Sequence, residues 1–150
     1  ITNESALALK QINSDAVIQA INRVWWKADQ MFKFALTEPL SRIHTPLAFE
    51  RTMAYLDRPD EETYGIAESG LGRAALAHLY EDAIPAVYHM TVTMDGADLD
   101  PDDRDVWYDL VVAATILEVG FPDYDTCWRQ AKANNFGRGK EDWRMSEFWK

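Results

Sequence analysis

MDGADLDPDDRDVWYDLVVAATILEVGF, residues 94–121, decides how this chain is read. Aspartates crowd its first half, at Asp95, Asp98, Asp100, Asp102, Asp103, Asp105 and Asp109, and a nearly unbroken apolar run follows. Asp100-Pro101 is a helix start: a side chain that accepts from free N–H groups, then a proline where no N–H is needed. The spacing predicts a helix from there to Glu118 or Val119, with Gly120 as its C-cap and Pro122 as its stop. Asp102, Asp103 and Asp105 fall in the first turns, where the helix dipole favours negative charge. Asp109 is too deep in the helix to be a cap. It stands between Trp107-Tyr108 and Leu110-Val111-Val112, and a carboxylate buried there has to be paired, protonated or metal-bound. Arg73 and Arg51 are candidate counter-ions.

Helical periodicity continues on both sides. Behind the caps Asn13 and Ser14, the residues Val17, Ile21, Val24, Trp25, Ala28, Phe32, Ala35 and Leu36 recur at three- and four-residue steps. They predict one continuous face of about six turns, ended by Pro39. Trp25, Trp26, Phe32 and Phe34 at this spacing read as core. Thr45-Pro46 opens a shorter helix that turns Phe49, Met53 and Leu56 inward, and Asp57-Arg58-Pro59 stops it. Residues 58–72, with three glycines and an acid run, read as the longest loop. They lack the lysine and the preceding strand of a phosphate-binding loop. Arg73–Met90 is again helical, with Pro85 kinking or splitting it, and Thr91-Val92-Thr93 marks an extended end. A further helix starts at Asp123 or Asp125, turns Tyr124, Cys127, Trp128 and Ala131 inward and ends near Asn134-Asn135. The tail predicts one last short helix with Trp143 and Phe148 or Trp149 packing back, and residues 1–12 a short helix or loose arm. The expected fold is a single-domain, all-α helical bundle of five or six helices over residues 1–150.

Composition narrows the function classes. The 150 residues are 47% hydrophobic and 12% aromatic, enough for a packed core. The formal net charge of −10 disfavours binding to a nucleic-acid backbone. It suits solubility, cation chemistry or a basic protein partner. One cysteine, Cys127, allows neither an internal disulfide nor a Cys-based zinc site, and it sits on the apolar stripe of its helix. A reducing, cytoplasmic setting is expected. No run of about 18 apolar residues predicts a membrane span, and ITNESALALK is not built like a secretion signal.

Three constellations carry candidate chemistry. His78, Glu81, Asp82, Pro85 and His89 fall on one face of the expected 73–90 helix, a spacing at which imidazole and carboxylate bind a divalent ion. A polar, half-wet face is the plainer account. Asp105 and Asp109 lie one turn apart on the helix of residues 101–119. Two facing helices bearing Glu81/Asp82 and Asp105/Asp109 would frame a Mg²⁺ ion. Last, Asn134, Asn135, Arg138 and Lys140 lie in the one net-positive portion of the chain, with aromatics interleaved, and suit nucleotide phosphates and base edges. A basic tail docked on an acidic body is the alternative.

The stretch DLVVAATILEVGFPDYDTCWRQAKANNFGRGK, residues 109–140, with LYEDAIPAV at 79–87, resembles the all-α nucleotide pyrophosphohydrolases of the MazG-like and phosphoribosyl-ATP pyrophosphohydrolase-like group. The likeness covers about 60 residues. It implies a Mg²⁺-dependent cleavage of a nucleoside triphosphate to monophosphate and pyrophosphate. Glu81, Asp82, Asp105 and Asp109 would be metal ligands, Asn134, Asn135, Arg138 and Lys140 nucleotide contacts, and His78 a base or outer ligand. It also implies a homo-oligomer. Pro85 stands where that group has a third acid, and Val106 where it has a glutamate with Asp105 one residue off. The competing expectation is a non-catalytic acidic helical protein (an inhibitor, an immunity-type protein or a nucleic-acid mimic) that occupies a basic partner. Convergence of Glu81, Asp82 and Asp109 on one point favours the enzyme. An arginine on Asp109, with the acids of residues 95–105 facing open solvent, favours the interaction protein.

Overall fold

The computed structural model describes residues 14–60, 63, 65–93 and 103–137, with side chains in the last two helices described over 106–129 and at Lys132. The expected N-terminal arm, the Asp100-Pro101 start and the tail helix lie outside these residues. The fold is all-α, with no strand among the described residues. Seven α-helices are present there rather than five or six: α1 (Asp15–Val24), α2 (Gln30–Arg42), α3 (Pro46–Asp57), α4 (Ile66–Ala77), α5 (Ala83–Thr93), α6 (Asp103–Leu117) and α7 (Tyr124–Gly137).

The extra helices come from two breaks that periodicity does not register. The stripe expected as one helix over 14–36 is divided. After Val24 the backbone tightens into a 3₁₀ turn at Trp25–Lys27, and Ala28 is extended. The Asp29 side chain then accepts the Phe32 N–H at 2.8 Å and caps a new helix. Val17, Ile21, Trp25, Ala28 and Leu36 are buried, Phe32 and Ala35 half-buried and Val24 exposed, so most of the apolar register survives the break although the helix is divided. Trp26 and Phe34, expected in the core, are about half exposed at 50% and 44%. Pro39 does not end α2 but lies buried inside it, and the helix continues to Arg42.

The second correction concerns residues 58–72. The loop ends at Gly65, whose φ of 76° is a conformation that glycine adopts without penalty, and α4 begins at Ile66. Gly70 and Gly72 are therefore helical. Two positions apart on a helix is about 200° around its axis, so they serve nearly opposite faces. A Cβ on Gly70 would stand 2.7 Å from Thr37 Oγ1 of α2, and one on Gly72 would stand 2.8 Å from Met90 Cε of α5. These close approaches place α4 at the centre, against α2, α3, α5 and α6. Every residue from Ala67 to Leu76 is buried except Arg73. Overpacking at such a contact costs about 1–3 kcal/mol. Gly70→Ala is expected to lower the urea midpoint accordingly at unchanged m value. Thr37→Ala in the same chain should recover most of the loss, because it removes the two atoms that a new methyl would strike first.

The helix expected over 73–90 is also two. The chain turns at residues 78–82, where Leu79 takes φ 53°, and Pro85 falls in the first turn of α5, where it breaks no hydrogen bond already made. Thr91-Val92-Thr93 is helical rather than extended. Thr91 Oγ1 donates to the Tyr88 carbonyl at 2.8 Å and Thr93 Oγ1 to that of His89 at 2.9 Å, so the β-branched hydroxyls bond back onto their own helix. α6 ends at Leu117 without using Gly120. Glu118 takes the left-handed conformation at φ 56°. The Val119 N–H reaches the Ala114 carbonyl at 3.0 Å and the Glu118 N–H that of Thr115 at 3.3 Å, a Schellman pair. The starts of α3 and α7 agree with the expected ones. Thr45 accepts the Ala48 N–H with Pro46 in the first turn. α7 packs against α6 through Tyr124, whose hydroxyl lies 2.6 Å from Thr115 Oγ1. Its Trp128, expected inward, is 37% exposed.

Candidate functional site

Asp109 is half-buried on α6, and its Oδ2 accepts from Arg73 Nε on α4 at 2.9 Å. The bond ties the central helix to its neighbour. The side chains are 51% and 34% exposed, so water screens the pair and a fully buried carboxylate is not what Asp109 represents. Glu81 and Asp82 lie in the turn between α4 and α5, not on a helix facing Asp109, and both are exposed. Because the chain turns there, His78, Glu81, Asp82 and His89 do not share one helical face. No group of three or more His, Cys, Asp or Glu side chains that would hold an ion forms among the described residues, and Glu81, Asp82 and Asp109 are all described. Asp105 lies on α6 and Asn134 and Asn135 on α7, with their side chains outside the described residues. Arg138 and Lys140 lie outside them altogether.

His78 caps the C-terminus of α4 and is 8% exposed. Its Nε2 is 3.0 Å from the Leu40 carbonyl. A carbonyl only accepts, so Nε2 carries the proton. Burial and the neighbouring His44 hold the imidazole below its ordinary pKa, against the Leu40 bond that raises it. The ring lies against His44 and Phe49, with centroids 5.3 and 5.7 Å away, and Phe49 packs on Tyr80 at 4.4 Å. Cys127 is partly buried. Burial and the Asp123 carboxylate push its thiol up, which leaves little thiolate for nucleophilic work.

The most unusual chemistry lies at a residue that the apolar pattern passes over. Lys33 on α2 is fully buried. Its ammonium donates to the Asp60 carboxylate and, at 3.2 Å, to Thr63 Oγ1; Thr63 Oγ1 in turn donates to Asp60 at 2.6 Å. The segment linking α3 to α4 is thereby fastened to α2. Below the ammonium, 5.7 Å away, is the ring of Trp25. Trp25 stacks on Tyr55 with centroids 4.3 Å apart and planes 8° from parallel. The Tyr55 hydroxyl donates to Asn22 at 3.0 Å, and burial, opposed by Arg51, pushes it up to about 12. Lys33, Leu36 and Leu40 follow the three- and four-residue spacing of the buried stripe, and that phase is the signal by which the sequence marks the lysine as internal.

No helix among the described residues is long and apolar enough to cross a membrane. Comparison with protein-family models, with curated proteins and with solved structures finds no match.

Proposed function

We propose that this chain is a non-catalytic, acidic helical interaction protein that binds a basic protein partner. One observation carries the reading: Asp109, the acid on which a metal centre would turn, is engaged by Arg73. The other two described candidate ligands, Glu81 and Asp82, are solvent-facing. A surface with Glu50, Asp57, Glu81, Asp82, Asp123 and Asp125 exposed, on a chain of net charge −10, steers a basic partner into contact. Trp26, Met31 and Phe34 are exposed at 50%, 64% and 44%, and aromatic and methionine side chains are the usual anchors of such contacts.

The Mg²⁺-dependent pyrophosphohydrolase reading, with Glu81, Asp82, Asp105 and Asp109 as ligands, requires Asp109 to leave Arg73. Two measurements separate the readings. Purified chain incubated with Mg²⁺ and a panel of nucleoside triphosphates is expected to release no pyrophosphate above the rate without protein. Lysine- and arginine-rich peptides selected on the immobilised chain are expected to bind with an affinity that falls as salt rises, and to lose at least about tenfold in a Trp26→Ala/Phe34→Ala variant. Mg²⁺-dependent pyrophosphate release that Asp109→Ala abolishes would overturn the proposal.

A further inference from the structure

We infer that His44 and His78 form a two-imidazole site for a divalent transition ion such as Zn²⁺, Ni²⁺ or Cu²⁺, independent of the partner-binding surface. With metal–nitrogen bonds of about 2.0–2.1 Å and a tetrahedral angle, the ring centres of two imidazoles on one ion stand about 5 Å apart. Those of His44 and His78 are 5.3 Å apart with planes tilted by 58°. The ring centres thus stand at about the separation that one shared ion requires. His78 is buried at the end of α4, and its Nε2–H is committed to the Leu40 carbonyl at 3.0 Å. In the neutral ring, Nδ1 must then carry the lone pair. A ligating histidine characteristically has its second ring nitrogen bonded to a carbonyl or carboxylate in this way.

His44 is exposed, so an ion has access from solvent. Its backbone is held on both sides. Ile43, before it, is fully buried. Thr45, after it, donates its N–H to the Ile43 carbonyl at 3.0 Å and its hydroxyl to Asp15 at 2.6 Å. Phe49, against His78, gives the site an apolar wall. Two nitrogen donors select ions that favour imidazole and leave Mg²⁺, which prefers oxygen, unbound. The remaining positions go to water.

The test uses the full chain without a histidine tag. Titration with ZnCl₂ in a non-chelating buffer, followed by calorimetry, is expected to show one saturable equivalent, and MgCl₂ no heat of binding. Of the three histidines, His44→Ala and His78→Gln are each expected to weaken Zn²⁺ at least about tenfold, and His89→Ala to leave it unchanged. If His78→Gln fails to fold by circular dichroism, His44→Ala alone decides, since its side chain is at the surface. Absence of a bound equivalent in the wild type overturns the inference. So does a His44→Ala chain that binds like wild type, or loss of binding in His89→Ala alone.

Discussion

Replacing Asp60 with alanine is expected to lower the unfolding free energy by about 2–3 kcal/mol. Removing one partner of a buried ion pair costs about 3–5 kcal/mol, because the other charge is left in a poor solvent. Here the stranded group is the Lys33 ammonium, which has no exposed surface. The figure falls below that range because the Asp60 side chain is 38% exposed, so water can enter where it stood, and Thr63 still accepts. Lys33→Met should cost less than Asp60→Ala, since it strands only the half-exposed carboxylate. The double variant should be near wild type or above it, because methionine fills the lysine's course over Trp25 with no charge to solvate. Urea denaturation of the four chains gives the coupling directly. The same pair has a pH signature. Burial alone would raise the Asp60 carboxyl, but the hydrogen bonds from Lys33 and Thr63 and the lysine's charge bring it below its ordinary 3.8. A depressed carboxyl contributes stability that is present above 3.8 and lost as pH falls through the folded value. The gap between wild type and Asp60→Ala should therefore close in that acid range and be constant near neutrality.

Trp25→Ala is expected to be the costlier change, about 3–5 kcal/mol. The ring is fully buried, stacks on Tyr55 of α3 and lies beneath Lys33 of α2, so its loss opens a cavity bounded by three segments of the chain. Trp25→Phe should behave differently. The indole Nε1 is buried without a hydrogen-bond partner among the described residues, and an unsatisfied buried donor costs about 1–3 kcal/mol. Phenylalanine gives up part of the stacking area and removes that donor, so its net cost is expected to stay under about 1.5 kcal/mol. Equal midpoint shifts for the two variants in urea would show that the aromatic stack contributes little.

How much of this was legible in the sequence depends on which physics decided each element. Local chemistry was readable: Thr45-Pro46 starts a helix because hydroxyl and ring each solve a problem of the first turn, and Asp57 ends it as expected. That Asp109 needs a partner is readable from its position in an apolar run, but the choice among a counter-ion, a proton and a metal is not; Arg73 was one of two candidate counter-ions. Tertiary choices were not readable. Asp29 restarts a helix inside an unbroken apolar stripe, and a period of three and four residues is the same on either side of such a restart. Gly70 and Gly72 look like loop residues because glycine disfavours an isolated helix. They are helical because α2 and α5 press against the missing side chains. Lys33 escaped notice because its partners are 27 and 30 residues away, and charge ordinarily marks an outer face. The tail positions Arg138 and Lys140 lie outside the described residues.

The make-up of α4 bears on how the chain acquires its shape. IAESGLGRAALA holds two glycines and a serine in twelve residues, and a peptide of that length and content would spend most of its time as coil in water. Its order is a product of being surrounded. The helix at the centre therefore cannot act as a preformed template on which the others collect. The contacts of α2, α3, α5 and α6 hold this segment helical, and undoing any one of them withdraws support from the rest. Such a centre ties the persistence of α2, α3, α5 and α6, the helices packed on it, to a segment that its two glycines weaken as an isolated helix.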